Sequence, residues 1–256
     1  MSITPRAAEL KRQIAVYLND VTSIFAESSG KALSSSAFAE IYHIALSADT
    51  VLHGLARPKL QPKLNAARSI VLRLPLLVGV GQQSIAMVEL RRFLELTCWT
   101  IYFSDHPVEW QSFNAPSGIG FARDTRKPIS YAAHRELGHY VEYARELMDT
   151  EESGLAVAAV GGLKQVSHDL NAAVHAGQIA RSASLKLPHD NISEPELRKF
   201  AAIARKVFLN SCIVLAAYNR KRFDGLSAAG RAHFDWLVGA AIRKKIRQGP
   251  FGLPTA

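Results

Sequence analysis

The stretch Lys164–Gly177, KQVSHDLNAAVHAG, decides how the chain is read, because an apolar helical stripe and a polar one coincide in it. Leu163, Val166, Leu170 and Val174 recur at i, i+3, i+7 and i+11, one face of a 3.6-residue helix. Lys164, His168, Asn171 and His175 recur at i, i+4, i+7 and i+11 and form a second stripe about a third of a turn away. Burying the first stripe turns the second toward the margin of the packed interface.

Outward from this stretch the same period recurs. Leu10, Ile14, Tyr17, Val21 and Ile24 predict a first helix that ends before the Ser/Gly-rich run 28–36. Phe38, Ile41, Ala45, Ala48, Leu52 and Leu55 predict a second, closed by Pro58 and Pro62. A short third covers 66–74 and should kink or end at Pro75, which has no N–H for the ladder. The fourth, over 84–103, sets Met87, Leu90, Leu94 and Ile101 on one side and Arg91, Arg92, Glu95, Trp99 and Tyr102 along another. Residues 104–129 read as a long irregular loop, with Trp110, Phe113 and Phe121 to dock it on the body.

Ser130 is placed to cap a fifth helix with Leu137, Tyr140 or Val141, Ala144 and Met148 inward. The sixth runs from about Ser153 to a stop at Gly177, weakened or split at Gly161-Gly162. Phe200 to Tyr218 carries a seventh, and Ser227 opens an eighth with Phe234, Leu237, Val238 and Ile242 apolar. No segment alternates with period two. The expectation is an all-α, single-domain helical bundle of about seven to eight helices over 1–256. N-terminal helices (6–56) and a C-terminal helix (227–247) are expected to pack on the segment 85–218 between them.

With 256 residues and 48% apolar content the chain has material for one interior, and its net charge of +9 suits phosphate-rich partners. Cys98 and Cys212 lie inside apolar periodic segments, where a thiol acts as a small buried hydrophobe, as in a reducing cytoplasm. No CxxC or Cys/His cluster offers zinc four ligands, and no cofactor is expected. The N-terminus lacks the apolar core of a signal peptide, and no run reaches the ~18 apolar residues of a spanning helix. A cytoplasmic protein without membrane contact is the expectation.

His168 and His175 supply two imidazoles, and Asn171 can orient one of them, which are suitable parts for proton transfer. Histidines on a half-buried helix face also simply bond backbone carbonyls, or complement the dipole near a C-terminus. Arg91 and Arg92 stand three or four residues before Glu95, the spacing of a surface ion pair. Ile242–Gly249, IRKKIRQG, places Arg243, Lys244 and Arg247 where they can touch phosphates or serve as a solvated last turn.

The segment ELRRFLELTCWTIYFSDHP (Glu89–Pro107), followed by LKQVSHDLNAAVHAG (Leu163–Gly177), resembles the helical HEPN-like proteins over roughly Ile85 to Tyr218. The resemblance implies antiparallel helices around a polar site, often across a homodimer. It also implies RNA or protein partners and metal-independent endoribonuclease activity of a defence or toxin–antitoxin type. Active members carry an arginine five to seven residues before the histidine; before His175 those positions hold Leu170, Asp169 and His168. On this reading His175 is the acid or base, Asn171 its orienter, and His168 with Arg91 or Arg92 the phosphate stabilisers, while Arg91, Arg92 and Lys164 are nucleic-acid contacts.

Two alternatives stand beside it. One is a non-catalytic interaction or accessory subunit. The other is a carboxylate-bridged di-metal bundle built on Glu40-x-x-His43 and Glu136-x-x-His139 with Glu89 or Glu95.

Overall fold

Each apolar run with a 3.6-residue period becomes a helix in the computed structural model, which describes residues 7–56, 58, 60–107, 137–148, 154–182 and 193–248. The side chains of 172–182, of 244–248, of part of 7–24, and of Leu137 and Met148, expected to face inward, lie outside that description. The helices are α1 (Ala7–Leu33), α2 (Ser36–Leu55), α3 (Gln61–Gly79), α4 (Gln83–Asp105), α5 (Leu137–Met148), α6 (Gly154–Ser182), α7 (Glu194–Tyr218), α8 (Arg220–Asp224) and α9 (Ala228–Gln248). Among the described residues no strand occurs, so the fold is an all-α bundle.

The bundle is wound around α7. From Ser211 to Ala217 every residue of α7 is buried, which requires neighbours on all sides; α2, α4, α6 and α9 supply them. Among the described residues α7 is the one helix long and apolar enough to cross a membrane, and 67% of that apolar window is buried by the other helices. Phe93 of α4 meets Phe208 of α7 edge to face, ring centroids 4.7 Å apart. Leu163, Val166 and Leu170 of α6 are buried as their spacing predicts, and Leu90 and Leu94 of α4 likewise. Val174 lies outside the described side chains.

Hydroxyl caps fix where helices start. Ser35 accepts from the Phe38 amide (3.1 Å) and opens α2, while Ser193 accepts from Glu196 and opens α7. Ser227 accepts from Gly230 at 3.1 Å and opens α9, as read from the sequence.

Several boundaries differ from the sequence reading. Helix α1 passes through Ser28–Gly30 to Leu33, with Ser28 and Ala32 buried. Pro62 does not close α2; it sits in the first turn of α3, where the missing N–H has no partner to lose. Pro75 does not end α3, which continues to Gly79 with Leu74, Pro75 and Val78 all buried. Helix α6 runs unbroken through Gly161-Gly162 and past Gly177 to Ser182. Residues 108–129 of the expected loop, its three aromatics, and the Ser130 cap lie outside the described residues.

Candidate nucleic-acid interface

Helices α3 and α4 form an antiparallel hairpin joined by Val80–Gln82. The turn follows from Gly81. With φ at 74° it adopts the left-handed conformation that L side chains rarely tolerate. That brings the Gln82 amide to Leu77 O (2.7 Å) and the Gly81 amide to Val78 O (3.1 Å), a Schellman stop.

The hairpin sets the polar face of α4 against one face of α3. Arg73 reaches across to Glu89 at 3.3 Å, and Glu89 also faces Arg92 one turn along α4, at 3.9 Å. Arg91 pairs with Glu95 at 3.1 Å, the i, i+4 contact its spacing predicts. Arg73 Nε also donates to Ser69 O at 3.1 Å, which holds its stem along α3. These groups border a cavity of about 670 Å³ lined by Ser69, Arg73, Arg91, Arg92, Glu95 and Trp99 with four apolar neighbours. Three guanidiniums stand there against the two carboxylates of Glu89 and Glu95, so the local charge is positive.

Arg91 and Arg92 were expected to share a cleft with the polar stripe of α6. Among the described residues, those lining their cavity all belong to α3 or α4. Lys164 turns to α5, where its ammonium donates to Glu142 at 2.9 Å; Arg145 holds the same carboxylate at 2.8 Å. The Lys164 hydrogen bond, with Arg145 nearby, lowers the Glu142 pKa below its ordinary value. His168 is exposed. Asn171 has a buried Oδ1 with no hydrogen-bond donor among the described residues. His175 follows one turn later on the α6 backbone, and its side chain lies outside the described residues, as do those of Lys244 and Arg247. Arg243 faces Asp235 at 3.9 Å.

The sequence reading missed Arg73 and Ser69 on the neighbouring helix and Glu142 on α5. Arg73 and Ser69 share an i, i+4 face, but only the hairpin brings that face to Arg92.

The residues of the di-metal alternative have other partners. Glu40 accepts from Arg205 at 3.1 Å, and the same guanidinium lies 4.5 Å from the centre of the Trp236 ring. His43 stacks on that indole at 3.7 Å, and Ser47 hydrogen-bonds His233 Nδ1 at 3.0 Å. These contacts clasp α2, α7 and α9. His139 packs edge-on against Tyr102 and Tyr140, and Glu136 lies outside the described residues. Among the described residues no group of three or more His, Cys, Asp or Glu side chains is gathered to hold a metal ion.

A second polar junction closes the far end of α4. Tyr143 of α5 and Tyr218 of α7 both donate to Asp105, at 2.9 and 2.7 Å. Burial, and then the Asp105 carboxylate, push the Tyr143 pKa up, so the hydroxyl stays a donor.

Comparison of the chain with protein-family models, with curated proteins and with solved structures gives no match.

Proposed function

We propose that the protein is an RNA-binding module of HEPN-like type, and that the α3–α4 cavity is its contact surface for a single strand. The observation that carries this is the convergence of Arg73, Arg91 and Arg92 with Trp99 on one cavity. A guanidinium matches phosphate bidentately, and an indole offers a stacking face to any base. Each arginine has a carboxylate partner, yet Arg73 and Arg92 are 51% and 64% exposed, and exposed pairs are worth only about 0–1 kcal/mol. A phosphate can therefore displace or share them. The chain's net charge of +9 adds long-range attraction. Two free, buried thiols agree with a reducing, cytoplasmic setting.

Binding without cleavage is the form of this reading. No arginine stands at the family's position before His175, and Lys164 is held by Glu142. A cleaving site needs a cation placed for the developing charge of the transition state.

The test is fluorescence anisotropy with a labelled single-stranded RNA, measured against salt. Arg73→Ala, Arg91→Ala and Arg92→Ala should each flatten the slope of log K on log salt by about 0.7, one phosphate contact apiece. Trp99→Ala should cost about 1–3 kcal/mol of binding. RNA should be recovered intact from every mixture. Slopes unchanged in all three arginine variants sink the proposal. Cleavage that disappears in His175→Ala replaces it with the ribonuclease reading.

A further inference from the structure

We propose that the α3–α4 cavity takes a nucleoside 5′-polyphosphate, free or as the 5′ end of an RNA, with its base on Trp99, its ribose at Glu95 and its phosphates on Arg73, Arg91 and Arg92. It rests on the reading of this cavity as an RNA contact, and narrows that contact from the length of a strand to its 5′ terminus.

Arg91, Glu95 and Trp99 recur at i, i+4 and i+8, so they stand in one line along α4, each about 6 Å beyond the last. All three line the cavity. Cation, carboxylate and indole follow in the order of the groups in a nucleotide: phosphate, ribose, base. A guanidinium grips phosphate bidentately, a carboxylate accepts from ribose hydroxyls as it does in dinucleotide sites, and an indole stacks on any base. Arg91 Nε takes Oε1 of Glu95 at 3.1 Å, and a carboxylate, with about four lone-pair sites, retains capacity to accept. Trp99 meets Tyr140 and Phe103 edge to face, ring centroids 6.2 and 6.4 Å apart, so its orientation is set before a base arrives.

The arginines gather at the other end of this line. Arg73 and Arg92 reach the two oxygens of the one Glu89 carboxylate, at 3.3 and 3.9 Å, and Arg91 adjoins Arg92 in sequence. Inside a strand each phosphate carries one charge and a ribose separates it from the next. In a 5′-polyphosphate the phosphorus atoms are joined through single oxygens and carry more charge than there are phosphates. Three guanidiniums converging on one point match the second arrangement. Glu89 is 16% exposed, far less than Arg73 or Arg92, so the guanidiniums stand outward of it and meet an anion first. The cavity's volume of about 670 Å³ is that of a small-molecule site, room for one nucleotide.

Anisotropy with the full chain and one 3′-labelled RNA sequence, carrying a 5′-triphosphate or a 5′-hydroxyl, tests this, with ATP and dATP as competitors. The triphosphate RNA should bind at least about tenfold tighter than the hydroxyl RNA. Arg73→Ala and Arg92→Ala should erase most of that difference, with helical circular dichroism unchanged because both side chains are exposed. ATP should displace the triphosphate RNA and quench tryptophan fluorescence, and the quenching should vanish in Trp99→Phe. dATP should compete less well than ATP, and Glu95→Ala should remove that preference. Equal binding of the two RNA ends overturns the proposal; arginine variants that still flatten the salt slope would then leave the strand reading standing. ATP that binds and quenches through Trp99 while neither RNA binds supports the polyphosphate site and removes the RNA reading. Failure of both ATP and triphosphate RNA to bind overturns the two together.

Discussion

Gly161 and Gly162 are adjacent in α6, yet a methyl group added to each meets different surroundings. At Gly161 it meets nothing within 4 Å; at Gly162 it comes within 2.6 Å of Asn210 Nδ2 and 2.8 Å of Asn210 Cγ. Asn210 cannot swing away without loss, because Nδ2 donates to Lys206 O at 2.9 Å. Gly161→Ala should therefore gain most of the ~1 kcal/mol of helix propensity. Gly162→Ala should fall below it by about 1–3 kcal/mol, the range for overpacking. Urea unfolding of the two variants decides this, and equal stabilities would mean the contact is soft. The sequence shows both glycines as weak points and gives no sign of Asn210, 48 positions away. The same limit governs the polar residues. Arg91–Glu95 could be read from its i, i+4 spacing, while Lys164–Glu142 and Arg73–Glu89 join different helices and could not.

At the scale of elements, helix identity was readable and helix ends were not. Apolar period reports burial over many residues, so it survives a single proline or glycine; the end of a helix turns on one or two residues that tertiary contacts overrule. Pro75 illustrates this, since α3 buries Leu74, Pro75 and Val78 together and continues. The start of α7 shows a contact that joins two such ends. Glu194 accepts from Ser35 and, at 2.9 Å, from Ser36 at the start of α2, and it pairs with Arg198 at 2.7 Å. The two serine hydrogen bonds, with Arg198 helping, hold the Glu194 pKa below its ordinary value. A carboxylate depressed on folding stabilises the native state fully above its unfolded value, and the contribution is lost as pH falls through the lower native value. Wild-type stability should therefore decline as pH drops below about 4.3, and Glu194→Gln should show a shallower decline. Urea midpoints for both proteins across that window measure it. Parallel curves would show that the α2–α7 junction does not depend on this carboxylate.

For the whole molecule, the buried core predicts that helices far apart in sequence open together. Cys98 on α4 and Cys212 on α7 are both buried and free, 1% and 0% exposed, and belong to the same apolar cluster. Burial pushes each thiol up to about 12, with Glu95 adding to the effect at Cys98. Disulfide reagents are attacked by thiolate, so near neutral pH the native protein presents them with neither access nor a nucleophile. Labelling must wait for opening, and the rate reports how much of the chain has to open. A single core ties the two thiols to one event: α4 and α7 are locked by Phe93 on Phe208, and Tyr218 closes on Asp105 at the far end. Under conditions where reclosing is faster than reaction, both cysteines should label with one urea dependence, equal to that of global unfolding by circular dichroism. Comparing Cys98→Ala and Cys212→Ala isolates each thiol in turn. Were Cys98 to react with a distinctly smaller urea dependence, α4 would open without α7, and the bundle would be two cooperative units rather than one. The arginine cavity would then sit on the more mobile of them, and RNA would be expected to slow Cys98 labelling while leaving Cys212 unchanged.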